Sequence, residues 1–451
     1  MRTRLCISAL GLLMLTAMPA GCANGPEPPP RAAWPPADAA LAMNRDAQVF
    51  IPQVDDLTRT LRVAVVYNDT HIQVRYEFAT EHPSWYHDYL VYRDGGWERL
   101  GEGAAGPAPL GLQEDRIAMM LDDGSVDGFA EYGGYVTMHP GVSSRSDQAP
   151  EATNKFIPPS RRGELDADLW RRTRSAEQLD RLRDEGVFIH TWQWRAHRSN
   201  PVGHADPGYV LDARNSAEGR GMYATNWDGD SRQPLFMFDP QVSGHHALDK
   251  RTLLDRGYGQ DDPYYLYDRT ALPFDPEHDW SEGDVLPRRY LRNPSDSRAS
   301  LKAQGRWEDG LWRVRVTRTL EAPNPRDSKA IEPGETYHVA FAVHSEATQA
   351  RWHYVSMPLT LGLDAEADVT ARYTEGDLDE ASAQWHEVPL FYSGQVYLAW
   401  LKDNGHPVHQ RFADARDHPM SPARIQALAE ALVQHELAWL RRHGIEVSDR
   451  H

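Results

Sequence analysis

Apolar and polar residues alternate along much of the first 360 positions, the two-residue period of β-strands. LRVAVVYND and HIQVRYEF alternate or run apolar on either side of Asn68-Asp69, which predicts a hairpin. YHDYLVYRDGGWERLG repeats the pattern about Asp94-Gly95-Gly96. GRWEDGLWRVRVTRTL does so about Glu308-Asp309-Gly310, with Trp312, Val314 and Val316 on one face. RIAMML, closed by the DDGS turn at Asp122–Ser125, and VFIHTWQWRA add short strands rich in apolar, β-branched and aromatic residues. Many short strands separated by turns predict a mainly β fold, an antiparallel β-sandwich with long loops and few helices.

Helical spacing is scarce in the same region. ADLWRRTRSAEQLDRLRDEG (Ala167–Gly186) is the exception and ends at a glycine. The interval from Asn200 to Pro294 is polar and rich in Gly, Pro and Asp, and reads as ordered irregular loops because it also carries many aromatics. A C-terminal amphipathic helix is predicted over Ser421–Gly444. Ser421 is its N-cap, and Ile425, Leu428, Leu432 and Leu440 form a stripe expected to pack on the chain's own domain.

Candidate chemistry concentrates in FAVHSEATQARWHYVSMPLTLGL (Phe341–Leu363). Alternation puts Phe341 and Val343 on one face, and Ala340, Ala342 and His344 on the other. His353 shares a face with Arg351 and Val355, opposite Trp352 and Tyr354. A histidine beside small residues in an apolar strand pair suits either a ligand to a flat cofactor or a core histidine held by a hydrogen bond.

The N-terminus has the pattern of an export signal. Arg2 and Arg4 precede an apolar run, Leu5 to Ala17, too short for a comfortable membrane span. Ala20-Gly21-Cys22 matches the end of a bacterial lipobox, with Pro19 where an aliphatic residue is usual. The expected organisation is a signal peptide over 1–22 with Cys22 as the lipidation site, then a proline-rich tether over 23–41. A β domain over 42–363 and an extension over 364–451 follow. The expected address is the periplasmic side of the outer membrane, anchored in the bilayer through acylated Cys22; a soluble periplasmic protein is the alternative.

The chain has 2 Cys, Cys6 and Cys22, both in the targeting segment. The rest can therefore form no internal disulfide, thiolate metal site or covalently attached haem. A formal net charge of −18 argues against nucleic acid as a partner and suits a soluble partner with a basic docking patch. No Gly-x-Ser-x-Gly elbow, phosphate loop or His-Glu-x-x-His occurs, so an electron-transfer or binding role is expected rather than catalysis. His245-His246 and the Asp228–Asp230 loop are weak metal candidates.

Four blocks, EDRIAMMLDDGSVDGFAEYGGYVTMH (Glu114–His139), FIHTWQWRA (Phe188–Ala196), RWEDGLWRVRVTRTL (Arg306–Leu320) and the histidine segment, together resemble the haem-binding domain of the ethylbenzene dehydrogenase γ-subunit family. That family includes periplasmic b-haem subunits of molybdenum enzymes and related c-type cytochromes. The resemblance runs from about Ala42 to Leu363. Where c-type relatives carry Cys-x3-Cys-His, this chain has Gly134, Met138 and His139. Relatives with b-type haem use methionine and lysine, and His353 aligns with the lysine. The resemblance thus implies a non-covalent haem b between two β-sheets. His353 would be one axial ligand to the iron and His139 or Met138 the other. His344 would be a supporting or alternative ligand and Arg351 a propionate partner, while Met119 and Met120 read more simply as core. A periplasmic redox partner, such as a molybdenum oxidoreductase, follows from the same resemblance. The alternative is a haem-free ligand-binding or scaffold lipoprotein, with Trp192, Trp194, Trp227 and Tyr223 as a sugar-stacking platform.

Overall fold

The computed structural model describes residues 49–101, 110, 112–138, 155–162, 173–345, 353–394, 407–417, 421–442 and 447–449. Its centre is one sheet of thirteen strands. In chain order these are β1 (Thr58–Tyr67), β2 (His71–Ala79), β3 (Arg116–Asp122), β4 (Ile189–Arg195), β5 (Asp206–Val210), β6 (Arg214–Ser216) and β7 (Lys302–Glu308). There follow β8 (Leu311–Thr319), β9 (Thr336–His344), β10 (Tyr354–Ser356), β11 (Leu359–Leu363), β12 (Val369–Tyr373) and β13 (Trp385–Tyr392). Their spatial order is β7-β8-β2-β1-β12-β11-β9-β3-β4-β5-β6, and β10 and β13 bridge β9 to β1 at the other end. Pairing is mostly antiparallel, with β12 parallel to both β1 and β11.

The predicted hairpins form at the predicted turns. Asn68 Oδ1 accepts from the backbone N–H of Thr70 and of His71, closing the β1–β2 turn. Asp309 and Gly310 both take positive φ, the mirror-image turn whose twist matches its strands. Asp94 and Gly95 do the same, so Gly96 belongs to the strand rather than the turn.

The sheet curls so that its two halves face each other, which makes the sandwich. Leu61, Val63, Val65, Ile72, Val74, Tyr76, Val314 and Val316 point inward from one half. Ile117, Met119, Leu121, Trp192, Trp194, Phe341 and Val343 do so from the other. Across the seam, Tyr76 meets Phe341 edge-on at 6.1 Å and Trp194 meets Trp312 at 5.0 Å. Trp194 also demands a glycine at 305, because a Cβ there would fall 2.6 Å from its Cε2.

Segments beyond residue 363 pack into this body. β12 and β13 lie inside the sheet, and Ile425, Leu428, Leu432 and Leu440 are buried in its core. They belong to α4 (Pro422–Arg442), whose first turn starts from the Ser421 carbonyl. Three further helices matter below: α1 (Phe129–Tyr132), α2 (Ala176–Asp184) and α3 (Pro407–Asp417). The helix expected over 167–186 is observed as α2, opened by a Ser175–Gln178 capping box; residues 163–172 lie outside the described residues.

The interval expected to be irregular contributes β5 and β6 to the central sheet, and much of the rest joins the segment around Tyr86–Leu100 in a satellite body with its own core. Strands Tyr89–Arg93 and Gly96–Leu100 pair with Asp284–Pro287 and Leu248–Asp249. Tyr86, Tyr89, Phe238, Leu253, Tyr264 and Leu286 are buried beneath them. Two of these tyrosine hydroxyls end on carbonyls, Tyr86 on Tyr258 at 2.6 Å and Tyr89 on Tyr264 at 3.1 Å, so those aromatic bodies are buried without stranding a polar tip.

The Gly305 contact yields a first test. Gly305→Ala should lower stability by about 1–3 kcal/mol through overpacking. Gly96→Ala, where a Cβ meets nothing within 4 Å, should stay within about 0.5 kcal/mol. Urea unfolding followed by tryptophan fluorescence measures both.

Candidate functional site

Strand register builds the floor of the site. β9 pairs with β3, and β3 with β4, so that Ala340, Met120 and Thr191 stand side by side. The next row is Ala342, Ala118 and Gln193, and the next is His344, Arg116 and Arg195. Residues two apart on a strand share a face, so all three rows project away from the core, onto the outer side of this half of the sheet. Ile117, Met119, Trp192, Phe341 and Val343, at the intervening positions, fill the interior. The expectation of a site between two sheets is therefore corrected, because the space between the halves is occupied by aromatic and aliphatic side chains.

A second layer covers this floor. α1 runs into a 3-10 turn, Gly133–Thr137, and the chain then reaches Met138. Gly134 lets that backbone lie close, since a Cβ there would sit 3.3 Å from the Met120 sulfur. α3 braces the turn from behind, with Phe412 edge-on to Tyr135 at 5.5 Å. At one end Phe129, Ile157, Ile189 and Val210 close the layer as an apolar cluster, with Leu179 and Leu182 of α2 packed against it. The cleft left between floor and cover encloses about 1190 Å3 counting its open mouth. A water molecule's centre fits in only about 160 Å3 of it, so it is a narrow slot.

The slot collects much of the expected set. Met120, Met138, His344 and His353 all line it. His353 leads into β10, and its ring stacks on that of His344 at 4.7 Å and 15°. Met119 also borders the slot but belongs to the core, its sulfur accepting from the Tyr76 hydroxyl at 3.7 Å. His139, Arg351 and Cys22 lie outside the described residues. Lys155 was missed: its Nζ lies 3.6 Å from the Met138 sulfur and donates to Thr137 Oγ1 at 3.1 Å. A single lysine in a polar stretch carries no periodic signal. The one available pointer was the methionine–lysine pair of b-type relatives.

The other candidates do not gather. Trp192 and Trp194 are buried, donating to His190 Nδ1 and Asn200 Oδ1, so they form no exposed platform; Trp227 is half-buried in the satellite body. Asp228 closes its own turn by accepting from Asp230 N and Ser231 Oγ, and His246 packs against His278 with the rings tilted by 34°. Among the described residues no group of three or more His, Cys, Asp or Glu is placed to hold a metal ion. A more open groove beside Arg75, Arg306 and Trp385 is flanked by ion pairs such as Arg306–Asp261 and brings no comparable donor set together.

Beside the slot lies a buried charge network. Glu114 accepts from the backbone N–H of His197 and of Arg198, each at 2.8 Å, and pairs with the Arg198 and Arg116 guanidiniums. Burial alone would raise its pKa, but Arg198, Arg116 and Arg195 overcome this and hold it at about 2. A carboxylate depressed from 4.5 in this way contributes stability that is fully present above pH 4.5 and is lost as pH falls toward 2. Glu114→Gln should therefore cost about 3–5 kcal/mol at pH 7 by stranding buried arginines. The gap from wild type should narrow steadily between pH 4.5 and 2, measured by urea unfolding at each pH.

The family model for ethylbenzene dehydrogenase matches residues 31–356. A stretch of 90 residues is 34% identical to cytochrome c-552 of Stutzerimonas stutzeri, covering 20% of this chain and 29% of that protein. The match thus spans under a third of that relative's length. The family match ends at the last residue of β10, so β11 to β13, α3 and α4 lie beyond it.

Proposed function

The chain belongs to the ethylbenzene dehydrogenase family, and from that premise we propose that it is an electron-transfer protein holding a non-covalent haem b in the outer slot. The observation that carries this reading is the floor register. Paired alanines, Ala118 and Ala342, leave a flat trough between a methionine row and a histidine row. A narrow slot with imidazole and thioether donors on its walls fits haem iron, for which both are ordinary axial ligands. The c-type positions hold Gly134 and Met138, and both cysteines, Cys6 and Cys22, lie elsewhere, so attachment is non-covalent.

When bound, the haem supplies a reversible one-electron couple. The chain's own residues hold and tune it. His353 supplies one ligand, its ring orientation fixed by the stack on His344. Met138 supplies the other, and a thioether raises the potential relative to a second imidazole. His139 remains the alternative to Met138. Lys155, beside Met138, is a further nitrogen donor on the same wall. Ala340 and Tyr135 limit water access from the floor and the cover.

The reading extends to place and partner. Cys22 carries acyl chains that tether the domain to the periplasmic face of the outer membrane. The formal charge of −18 suits a soluble redox partner with a basic docking patch, such as a molybdenum oxidoreductase.

Protein purified from haem-sufficient cells should show a Soret band, with sharp α and β bands after dithionite reduction. His353→Ala should abolish the six-coordinate spectrum. Met138→Leu should shift it and lower the potential, whereas an unchanged spectrum with Lys155→Ala altering it would move the second ligand to the lysine. A spectrum that stays featureless after haem titration overturns the reading. Separately, Cys22→Ser should move the protein from the membrane fraction to the soluble periplasmic fraction; membrane retention would overturn the anchor.

A further inference from the structure

The slot's floor changes character along its length. From the Ala340–Met120–Thr191 row to the His344–Arg116–Arg195 row is four residues along β3, about 13 Å at strand rise. Over that distance the surface passes from apolar to cationic. Arg116 lines the cationic end, and Arg214 reaches the same cleft from β6.

Cations outnumber carboxylates there, in a chain that is strongly acidic as a whole. Glu114 is shared by Arg198 and Arg116, and Asp206 by Arg195 and Arg298. Arg289 pairs with Asp88, which also serves Arg99 and Arg288. Arg214 makes no ion pair within 4 Å among the described residues, and Asp206, already held by Arg195 and Arg298, acts on it only from farther off. Its guanidinium donates instead to Gln193 Oε1, which also accepts from Arg195. The Nε–H groups of Arg116, Arg195 and Arg289 are buried without a hydrogen bond. Tyr223 reports the resulting field. Arg198, Arg195 and Arg289 lie 5.3, 5.9 and 6.0 Å from its ring centre, and the positive charges of Arg195 above all and of Arg198 draw its phenol down to about 8.

Guanidiniums short of carboxylate partners at the mouth of an apolar slot suit a flat apolar ligand with acid groups on one edge. We propose that Arg116 and Arg214 form a carboxylate-binding end of the slot, which fixes the direction in which the ligand enters: apolar edge toward Met120, acidic edge toward the arginines. This rests on the haem reading, with the two propionates as the acid groups, and it gives Arg116 and Arg214 the part that the sequence suggested for Arg351. Arg195, Arg198 and Tyr223 act behind them as positioning residues.

Binding of haem and of its dimethyl ester, in which both propionates are capped, separates the two levels of the argument. Affinities are measured by tryptophan quenching and Soret titration on the full chain. Wild type should bind haem about tenfold or more tightly over the ester, the effect of one charge-assisted contact. Arg214→Gln, at the exposed rim, should lose about tenfold for haem and little for the ester. Arg214→Lys should recover part of the loss. Arg116→Gln should behave alike, provided circular dichroism shows it folded; Arg214→Gln decides the matter if it does not fold. Equal affinity for haem and ester, or equal loss of both in Arg214→Gln, overturns the carboxylate end and leaves the haem reading standing. Binding of neither overturns both.

Discussion

The register between β9, β3 and β4 is the constraint on which the rest depends. Because side chains alternate, a slip of one residue in either pairing would turn Ala118, Ala342 and His344 into the core and expel Met119 and Phe341. The core prevents this. Trp192, Trp194, Met119, Phe341 and Val343 are all nearly fully buried against the opposite half, and each large side chain contributes on the order of 2–3 kcal/mol through burial. The interior thereby fixes the exterior: the same packing that satisfies the tryptophans lays two alanines side by side on the outside and opens a flat trough.

That trough would be a shallow surface without its cover, and the cover is held from several directions. Gly134 brings the 3-10 turn close to Met120, and Phe412 of α3 presses on Tyr135. α4 in turn packs against β13 and β1 through a buried aliphatic stripe. The C-terminal segments, beyond the family match, therefore do structural work at the site. Ser393 and Gly394, just after β13, also line it. The family frame and this chain's own tail meet at the slot.

The buried charges divide the slot's environment into two regimes. At the Met120 end the surroundings are aliphatic and aromatic, where any charge would be expensive. At the Arg116 end, guanidiniums share too few carboxylates, so positive potential accumulates within a protein whose overall charge is negative. Local arrangement outweighs net charge here, because partly buried charges are screened far less than surface ones.

Local pattern was readable in the chain. The alternation of AFAVH assigned Phe341 and Val343 to one face and His344 to the other, and the Asp-Gly pairs marked turns that need positive φ at both positions. Four aliphatic positions at helical spacing marked the stripe of α4. The positions of the two cysteines, Cys6 and Cys22, gave the expectation of non-covalent attachment. These features depend on residues close in sequence, where stereochemistry alone decides. What the chain did not reveal was which faces would meet. The slot lies outside the sandwich because both inner faces are filled by large aromatics from strands more than a hundred residues apart. Lys155 and Arg214 reach it from segments with no periodic signal. β12 inserts in parallel beside β1 across some three hundred residues of chain, and the aromatic-rich interval became a second core. Periodicity shows that a side chain has a face; only long-range pairing and packing determine what that face touches, and that is settled by the mutual fit of distant segments.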